Sequence, residues 1–256
     1  MIGPIGEVRN RHGERIDAVF SPGAPSESTE STDPRRVVLV AHGVTGRMDR
    51  PYLVAICDAL AEAGLPSLRF TYAGNPGSEG RFEECTISKE IDDLGAVIDA
   101  ARGVGFERVT YVGHSMGGAI GALRAADDAR IDSYVSLAGM VHIADFMDRT
   151  FGLLEPGRDV MLDKPECPLT AAFLADARAH GSTLDAVRRL TIPTLIVHGT
   201  DDELVPFQDG LDHRDAAPSV TQLVPLPGVD HRFTDHHEVV AATVTRFVAQ
   251  LADDAV

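Results

Sequence analysis

From residue 36 onward, short apolar runs that suit buried strands alternate with stretches whose apolar positions recur at helical spacing. Residues 36–41 (RVVLVA) and 193–198 (PTLIVH) are unbroken and rich in β-branched side chains, as in strands covered on both faces. Residues 86–102 instead place apolar side chains at helical spacing: Ile91, Leu94, Val97, Ile98 and Ala101. The alternation predicts an α/β fold with a mostly parallel sheet of about eight strands and helices on both faces.

The chain length of 256 residues and the apolar content of 44% suit one domain over residues 1–256. Residues 5–20 predict two short strands, and residues 21–34, rich in Ser, Pro, Thr and acids, predict an exposed loop. Residues 140–190 interrupt the alternation, with a helical stretch near 170–188. Because this segment exceeds a usual crossover, we predict a small cap insertion over the carboxyl edge of the sheet. An ordinary crossover helix with a long loop is the alternative.

The formal net charge is −16, from 39 acidic and 23 basic residues, so a polyanion is repelled and nucleic acid is not an expected partner. The longest apolar runs are too short to cross a bilayer, and the N-terminus lacks the pattern of a secretory signal. Cys57, Cys85 and Cys167 show neither disulfide nor zinc spacing. These features predict a cytoplasmic protein with no membrane partner and leave its oligomeric state open.

Residues 113–117 read Gly-His-Ser-Met-Gly, directly after a strand-like run and before a small-residue helix. In a sharp strand-to-helix turn, small residues two positions before and after the serine let both elements approach closely and present the hydroxyl at the sheet edge. The next amide, on Met116, starts the helix, where the dipole favours a developing anion. Ser115 is therefore the candidate nucleophile, and a tight turn without chemistry is the alternative.

A serine hydroxyl needs a base, and the sequence has ten histidines. His231 follows the last strand-like run, on a loop that can reach over the serine. His236 and His237 fall where the final helix begins and suit exposed positions. We predict His231 as the general base, with His236 in reserve.

The base needs a carboxylate that fixes its tautomer and stabilises its charged form. The loop after residues 193–198 carries three adjacent acids, Asp201, Asp202 and Glu203. Spacing alone does not choose between Asp201 and Asp202, and a solvated acidic turn is the alternative.

The order of serine, acid and histidine resembles that of the α/β-hydrolase superfamily. Its members commonly show Gly-x-x-Asp-x-x-Val-Pro at the acid and Gly-x-x-His-x-Phe at the base. The matching residues here are Gly199, Asp202, Val205 and Pro206, then Gly228, His231 and Phe233. The resemblance covers the chain from about residue 35 to the end, except the cap, and implies Asp202 as the acid.

Residues 42–46, His-Gly-Val-Thr-Gly, follow the first long strand on the loop that supplies the second oxyanion donor in this superfamily. The resemblance implies that the backbone amides of Val44 and Met116 hold the oxyanion. It also implies acyl transfer through an acyl-enzyme, without a metal or an organic cofactor.

The same loop and residues 74–80, Gly-Asn-Pro-Gly-Ser-Glu-Gly, are similar to loops of cinnamoyl and feruloyl esterases and related small carboxylesterases. Asn75 and Pro76 stand where His and Gly are usual, and Val44 stands where Phe is usual. We expect these changes to reshape the acyl pocket. The resemblance implies a serine-dependent carboxylesterase acting on a small or medium ester, with an aromatic ester as a candidate substrate.

A thioesterase, lactonase or carbon–carbon bond hydrolase stays open, because a fold does not fix chemistry. A non-catalytic binding module and a metal hydrolase built on His231, His236 and His237 are further alternatives. A peptidase would usually bring an additional domain, for which the chain has little room. Six apolar side chains of the cap could line the pocket or form the cap's own core: Phe146, Met147, Phe151, Leu153, Leu154 and Phe173.

Overall fold

The computed structural model describes residues 5–23 and 35–253. The strands within these residues are β1 (Val8–Arg9), β2 (Arg15–Ser21), β3 (Arg36–Ala41), β4 (Ser67–Thr71), β5 (Arg108–His114), β6 (Ile131–Leu137), β7 (Thr194–Gly199) and β8 (Thr221–Leu226). They form one sheet in the order β1-β2-β4-β3-β5-β6-β7-β8. The β1–β2 and β2–β4 pairs are antiparallel and the others are parallel. The predicted α/β architecture with a mostly parallel sheet is confirmed.

Helices cover both faces of this sheet. They are α1 (Pro51–Glu62), α2 (Ile87–Gly103), α3 (Met116–Ala125), α4 (Ile143–Phe151), α5 (Ala171–His180), α6 (Leu184–Val187), α7 (Phe207–Ala216) and α8 (His237–Asp253). Apolar residues of α1 and α8 form one buried cluster, and those of α2, α3, α4 and α5 form another. Strand β3 contributes to both clusters. Val37 and Leu39 belong to the cluster of α2 to α5, and Val38 and Val40 belong to the cluster of α1 and α8. This alternation is why β3 is apolar throughout.

Segment 140–190 contains α4, α5, α6 and a 3-10 turn at Met161–Asp163. The helical stretch predicted near 170–188 is two helices, because Gly181 adopts a φ of 63° between them. Helix α4 was not predicted. The description of this segment as a cap within a single domain stays a prediction, and most of the predicted loop 21–34 lies outside the described residues.

The aromatic side chains of segment 140–190 mostly pack inward. Phe151 contacts Phe146 and Phe173 edge to face, with ring centroids 6.0 and 6.5 Å apart. All three belong to the buried cluster of α2 and α3. Leu153, in contrast, is fully exposed. This segment therefore shares the core of the sheet. None of the helices in the described residues is long and apolar enough to cross a membrane.

Candidate active site

Ser115 lies at the turn between β5 and α3 with φ 56° and ψ −118°, a conformation unfavourable for a residue with a side chain. The neighbouring glycines permit this turn. A Cβ on Gly113 would lie 2.2 Å from the Gly117 carbonyl oxygen, and one on Gly117 would lie 2.4 Å from the His42 carbonyl oxygen. The strand and helix thus approach as closely as the sequence pattern predicts.

Residues 42–46 pack against this turn. A Cβ on Gly43 would lie 2.6 Å from Ser115 Cβ, so only glycine lets the loop come so near the serine. His42 Nδ1 donates to the Gly43 carbonyl oxygen at 2.7 Å, and His42 Nε2 accepts from the Tyr72 amide at 3.2 Å. Burial lowers the pKa of His42 to about 4, so its ring is neutral and matches these roles. Val44 follows in the loop and faces the pocket.

His231 and Asp202 are joined by a hydrogen bond of 2.7 Å between His231 Nδ1 and Asp202 Oδ2. The other carboxylate oxygen, Oδ1, accepts from the amides of Leu204 and Val205 at 2.9 and 2.8 Å. His198 Nε2 lies 3.3 Å from Oδ2. Burial raises the pKa of Asp202, but the hydrogen bonds from His198, His231 and Val205 outweigh it and hold this pKa well below its usual range. The carboxylate is therefore charged.

The other sequence candidates lie apart from this pair. Asp201 is exposed and accepts a hydrogen bond from the Thr200 hydroxyl at 3.1 Å. His236 Nδ1 bonds to the Thr234 carbonyl oxygen at 2.7 Å, and His237 is the first residue of α8. Within residues 5–23 and 35–253, no three His, Cys, Asp or Glu side chains are grouped to hold a metal ion.

Ser115 and His231 line the same pocket, with no hydrogen bond between them in the described part of the chain. The space that the centre of a water molecule can reach is ≈ 60 Å³. Four apolar side chains contribute to the wall: Val44, Phe146, Leu162 and Leu204. Of the six apolar residues proposed for the cap, Phe146 alone reaches this pocket among the described lining residues.

His114, the second residue of the Gly-x-Ser-x-Gly pattern, has a role that the sequence analysis missed. Its Nε2 donates to the His231 carbonyl oxygen at 2.9 Å, and its Nδ1 accepts from the Tyr52 hydroxyl at 3.0 Å. Burial lowers the pKa of His114 well below its ordinary value, so the ring stays neutral. His114 therefore ties the backbone of the candidate base to the strand that carries the candidate nucleophile.

The loop at residues 74–80 lies away from the pocket. Asn75 is buried, and its side-chain amide donates to Glu90 Oε1 at 3.3 Å. Neither Asn75 nor Pro76 is among the lining residues, whereas Val44 is. Of the changes expected to reshape the acyl pocket, only the one at Val44 is located there.

Known proteins resemble this chain in sequence and in fold. Residues 32–164 match Hydrolase_4, the family described as serine aminopeptidase, S33. The mitochondrial palmitoyl-protein thioesterase ABHD10 of Mus musculus is 27% identical over 219 residues, 79% of this chain and 71% of that protein. A monoacylglycerol lipase of Mycolicibacterium smegmatis is 29% identical over 212 residues, 70% of this chain and 74% of that protein.

Among solved structures, Est1E from Butyrivibrio proteoclasticus with bound ferulic acid superposes with a TM-score of 0.81 at 26% identity. The superposition covers 97% of this chain and 98% of that one. The family match spans more than half of the chain, and it includes the Ser115 turn and residues 42–46. The chain therefore belongs to the Hydrolase_4 family of serine aminopeptidase-like α/β hydrolases.

Proposed function

We propose that this protein is a serine-dependent carboxylic ester hydrolase that works through an acyl-enzyme. Ser115 is the nucleophile, His231 the general base, and Asp202 the carboxylate that orients the base. The observation that carries the proposal is the 2.7 Å bond between His231 Nδ1 and a fully hydrogen-bonded Asp202, in the pocket that also contains the strained Ser115. Among the alternatives, this arrangement fits acyl transfer best.

In the first half of the reaction, Ser115 Oγ attacks the ester carbonyl carbon while His231 Nε2 accepts its proton. The bond from Nδ1 to Asp202 keeps the free lone pair on Nε2 and stabilises the imidazolium that forms. The carbonyl oxygen becomes an anion, which the amides of Val44 and Met116 hold. The N-terminus of α3 adds its dipole at the same point.

The tetrahedral intermediate then collapses. The bond from the carbonyl carbon to the alcohol oxygen breaks, and His231 Nε2 gives its proton to the leaving alkoxide. Water attacks the acyl-serine with His231 again as base, and a second collapse returns the proton to Ser115 Oγ and releases the acid. Each step needs only groups of this chain and one water molecule.

We infer a small or medium ester as the substrate. Four apolar side chains, Val44, Phe146, Leu162 and Leu204, give the pocket an apolar surface for an acyl group beside the candidate nucleophile. The bound ferulic acid in Est1E supports an aromatic ester as candidate substrate. A thioesterase is the second candidate, supported by the name of the mouse relative, a palmitoyl-protein thioesterase.

Three further expectations remain proposals. The division of the chain into one domain with a cap at about residues 140–190 is one of them. The cytoplasmic location is another, and the name of the mouse relative places that protein in mitochondria instead. The third is that the enzyme acts on a small molecule, with neither nucleic acid nor membrane as partner, and needs no cofactor.

Turnover of a substrate panel by the wild type and Ser115→Ala tests the proposal. The panel contains 4-nitrophenyl esters of increasing acyl length, methyl ferulate, a palmitoyl thioester and an aminoacyl 4-nitroanilide. We expect the short esters to be turned over, and we expect Ser115→Ala to lower kcat by about 10⁶-fold. Circular dichroism and the melting temperature check that the variant is folded. Turnover retained by the folded variant contradicts Ser115 as nucleophile, and preference for the anilide favours a peptidase.

A further inference from the structure

Three cationic side chains, Arg50, Lys164 and Arg232, line the pocket that contains Ser115 and His231. None of the described lining residues is Asp or Glu. This local excess of positive charge contrasts with the net charge of −16 on the chain. The pocket thus has the opposite sign to the protein as a whole, and a general surface composition does not account for it.

Two of these cations have hydrogen-bonding capacity to spare. Arg50 and Arg232 make neither a side-chain hydrogen bond nor an ion pair with any residue that the structure describes. Lys164 Nζ donates to Thr45 Oγ1 at 2.9 Å, which anchors it beside the candidate oxyanion loop. Both guanidinium groups can therefore donate to a bound ligand.

Two of the acids near these residues in sequence have other hydrogen-bond or ion-pair partners. Asp49 pairs with Arg47 at 2.6 Å, and the carboxylate of Asp230 accepts from the Thr234 amide and hydroxyl at 2.8 and 2.7 Å. The charge of Arg232 is partly offset by Asp230, whose pKa it lowers, and the charge of Lys164 is partly offset by Glu166, which raises the pKa of Lys164. Within the described residues neither Arg50 nor Arg232 forms an ion pair, so both guanidinium groups keep their donors available for a ligand.

The three charges also act on one another. Burial lowers the pKa of Lys164, and the positive charge of Arg50, followed by that of Arg232, lowers it further. The first turn of α1, directly after Arg50, contains no acidic residue that would offset the positive end of its dipole. Like charges that line one pocket repel one another, and a bound anion would offset part of that repulsion.

We propose that the pocket selects esters or thioesters carrying an anionic group, a carboxylate or a phosphate, that Arg50 and Arg232 bind with the help of Lys164. The inference rests on the proposed function for the reaction, whereas anion binding can be measured without turnover. A bidentate guanidinium contact suits either group, because both present two oxygens in one plane.

The first test measures binding to folded Ser115→Ala, which requires no activity. Calorimetric titration with glutarate, inorganic phosphate and the neutral glutaramide separates the two anion sources from an uncharged analogue. We expect one of the anions to bind at least about 10-fold more tightly than glutaramide, as a charge-assisted hydrogen bond would give. Arg50→Gln and Arg232→Gln, introduced into Ser115→Ala, should each abolish this difference. Equal binding of all three compounds overturns the proposal.

The second test compares kcat/KM for matched substrates in the wild type. The carboxylate pair is the mono-4-nitrophenyl ester of glutaric acid and the same ester with its free acid converted to a primary amide. The phosphate pair is acetyl-coenzyme A and the neutral thioester S-acetyl-N-acetylcysteamine. We expect a preference of about 10-fold or more for the anionic member of one pair, lost in Arg50→Gln and Arg232→Gln.

Arg158→Gln is the matched control, because Arg158 is exposed in segment 140–190, pairs with Glu155 and does not line the pocket. It should leave the preference unchanged. An equal loss in Arg158→Gln would reveal a general field effect and overturn the proposal. If neutral esters are hydrolysed through Ser115 without any anionic preference, the inference fails and the proposed function stands. If Ser115→Ala binds the anion but the wild type hydrolyses no ester, the anion site stands and the proposed function fails.

Discussion

Two groups of buried polar side chains lie on either side of residues 72 and 73. The Tyr72 amide donates to His42, which supports the pocket, and the Ala73 amide donates to Asp93 at 2.9 Å. We call Ser115, His231 and Asp202 the triad cluster. We call Asn10, Asn75, Glu90 and Asp93 the carboxylate cluster. Both clusters bury carboxyl groups, but they satisfy them differently.

Asp202 in the triad cluster has donors on both oxygens and stays charged. In the carboxylate cluster, the Asn10 side chain and the Ala73 amide donate hydrogen bonds to Asp93. Glu90 Oε2, in contrast, has no hydrogen-bond partner within the described residues. Burial and the nearby charge of Asp93 raise the pKa of Glu90 well above its usual value. Burial also raises the pKa of Asp93 despite its two donors, whereas the donors to Asp202, among them His231, outweigh burial. The charge of each buried carboxyl group therefore depends on the balance between burial and the donors that it meets. The triad cluster lies at the pocket and carries the proposed chemistry, whereas the carboxylate cluster contacts loop 74–80 through Asn75.

The largest expected effect on kcat comes from removing the charged carboxylate of the triad cluster. Asp202→Asn should lower kcat by about 10⁴-fold, the effect of this change on a Ser-His-Asp triad, because an amide does not fix the required tautomer of His231. Asp201→Asn is the control next to it and should change kcat less than twofold, since Asp201 is exposed. Kinetics with a short 4-nitrophenyl ester measure both. The reverse order would show that the acid is Asp201.

A smaller effect is expected at the support of the base. His114→Phe keeps an aromatic ring but removes the bond to the His231 carbonyl oxygen, so kcat should fall by about 10-fold, the equivalent of one hydrogen bond. Tyr52→Phe removes only the outer bond to His114 and should reduce kcat by less. KM for a small neutral ester should stay the same in both variants. An unchanged kcat in His114→Phe would mean that the loop holds His231 without this bond.

The smallest effect on activity, with a clear effect on stability, is expected at Glu90. A pKa raised by folding gives stability that is complete below the unfolded pKa of about 4.5 and is lost as the pH rises through the folded pKa. Glu90→Gln cannot ionise, so its melting temperature should exceed that of the wild type increasingly as the pH rises. The melting temperature should rise by about 2–4 °C for each kcal/mol by which the free energy of unfolding increases. Thermal unfolding between pH 4 and 8 measures it, and kcat should stay unchanged.

Glu62→Gln on the exposed surface of α1 is the control for this change. Its unfolding curve should shift in parallel with that of the wild type at every pH. Parallel curves for Glu90→Gln as well would show that Glu90 is not protonated by burial, and the contrast between the two clusters would disappear.

The sequence predicted the elements whose patterns are local. Strands β3 and β7 are buried on both faces, so their unbroken apolar runs are visible without any partner. Helix α7 escaped prediction because its sequence, FQDGLDHRDA, has no apolar stripe. Helix α4 does carry an apolar stripe, with Ile143, Phe146, Met147 and Phe151 buried on one face. It lies inside residues 140–190, which interrupt the alternation of strands and helices.

The candidate site divides in the same way. The turn at Ser115 and the loop at residues 42–46 could be predicted from the positions of their glycines, because a Cβ at these positions would clash with nearby atoms. The hydrogen bond from His114 to the His231 backbone joins residues that are 117 positions apart. No local sequence pattern near either residue predicts it. The convergence of Arg50, Lys164 and Arg232 likewise depends on three separate loops, so only the folded chain reveals it.

The backbone of Ser115, at φ 56° and ψ −118°, also bears on how this chain can evolve. Such a conformation costs about 1–3 kcal/mol in a residue with a side chain, and glycine largely avoids the cost. Substitution by glycine would relieve strain and remove the hydroxyl in one step. Descendants released from selection for turnover should therefore drift towards glycine at this position. A serine retained here across a lineage would therefore indicate selection for its hydroxyl, because backbone strain at this position disfavours a side chain.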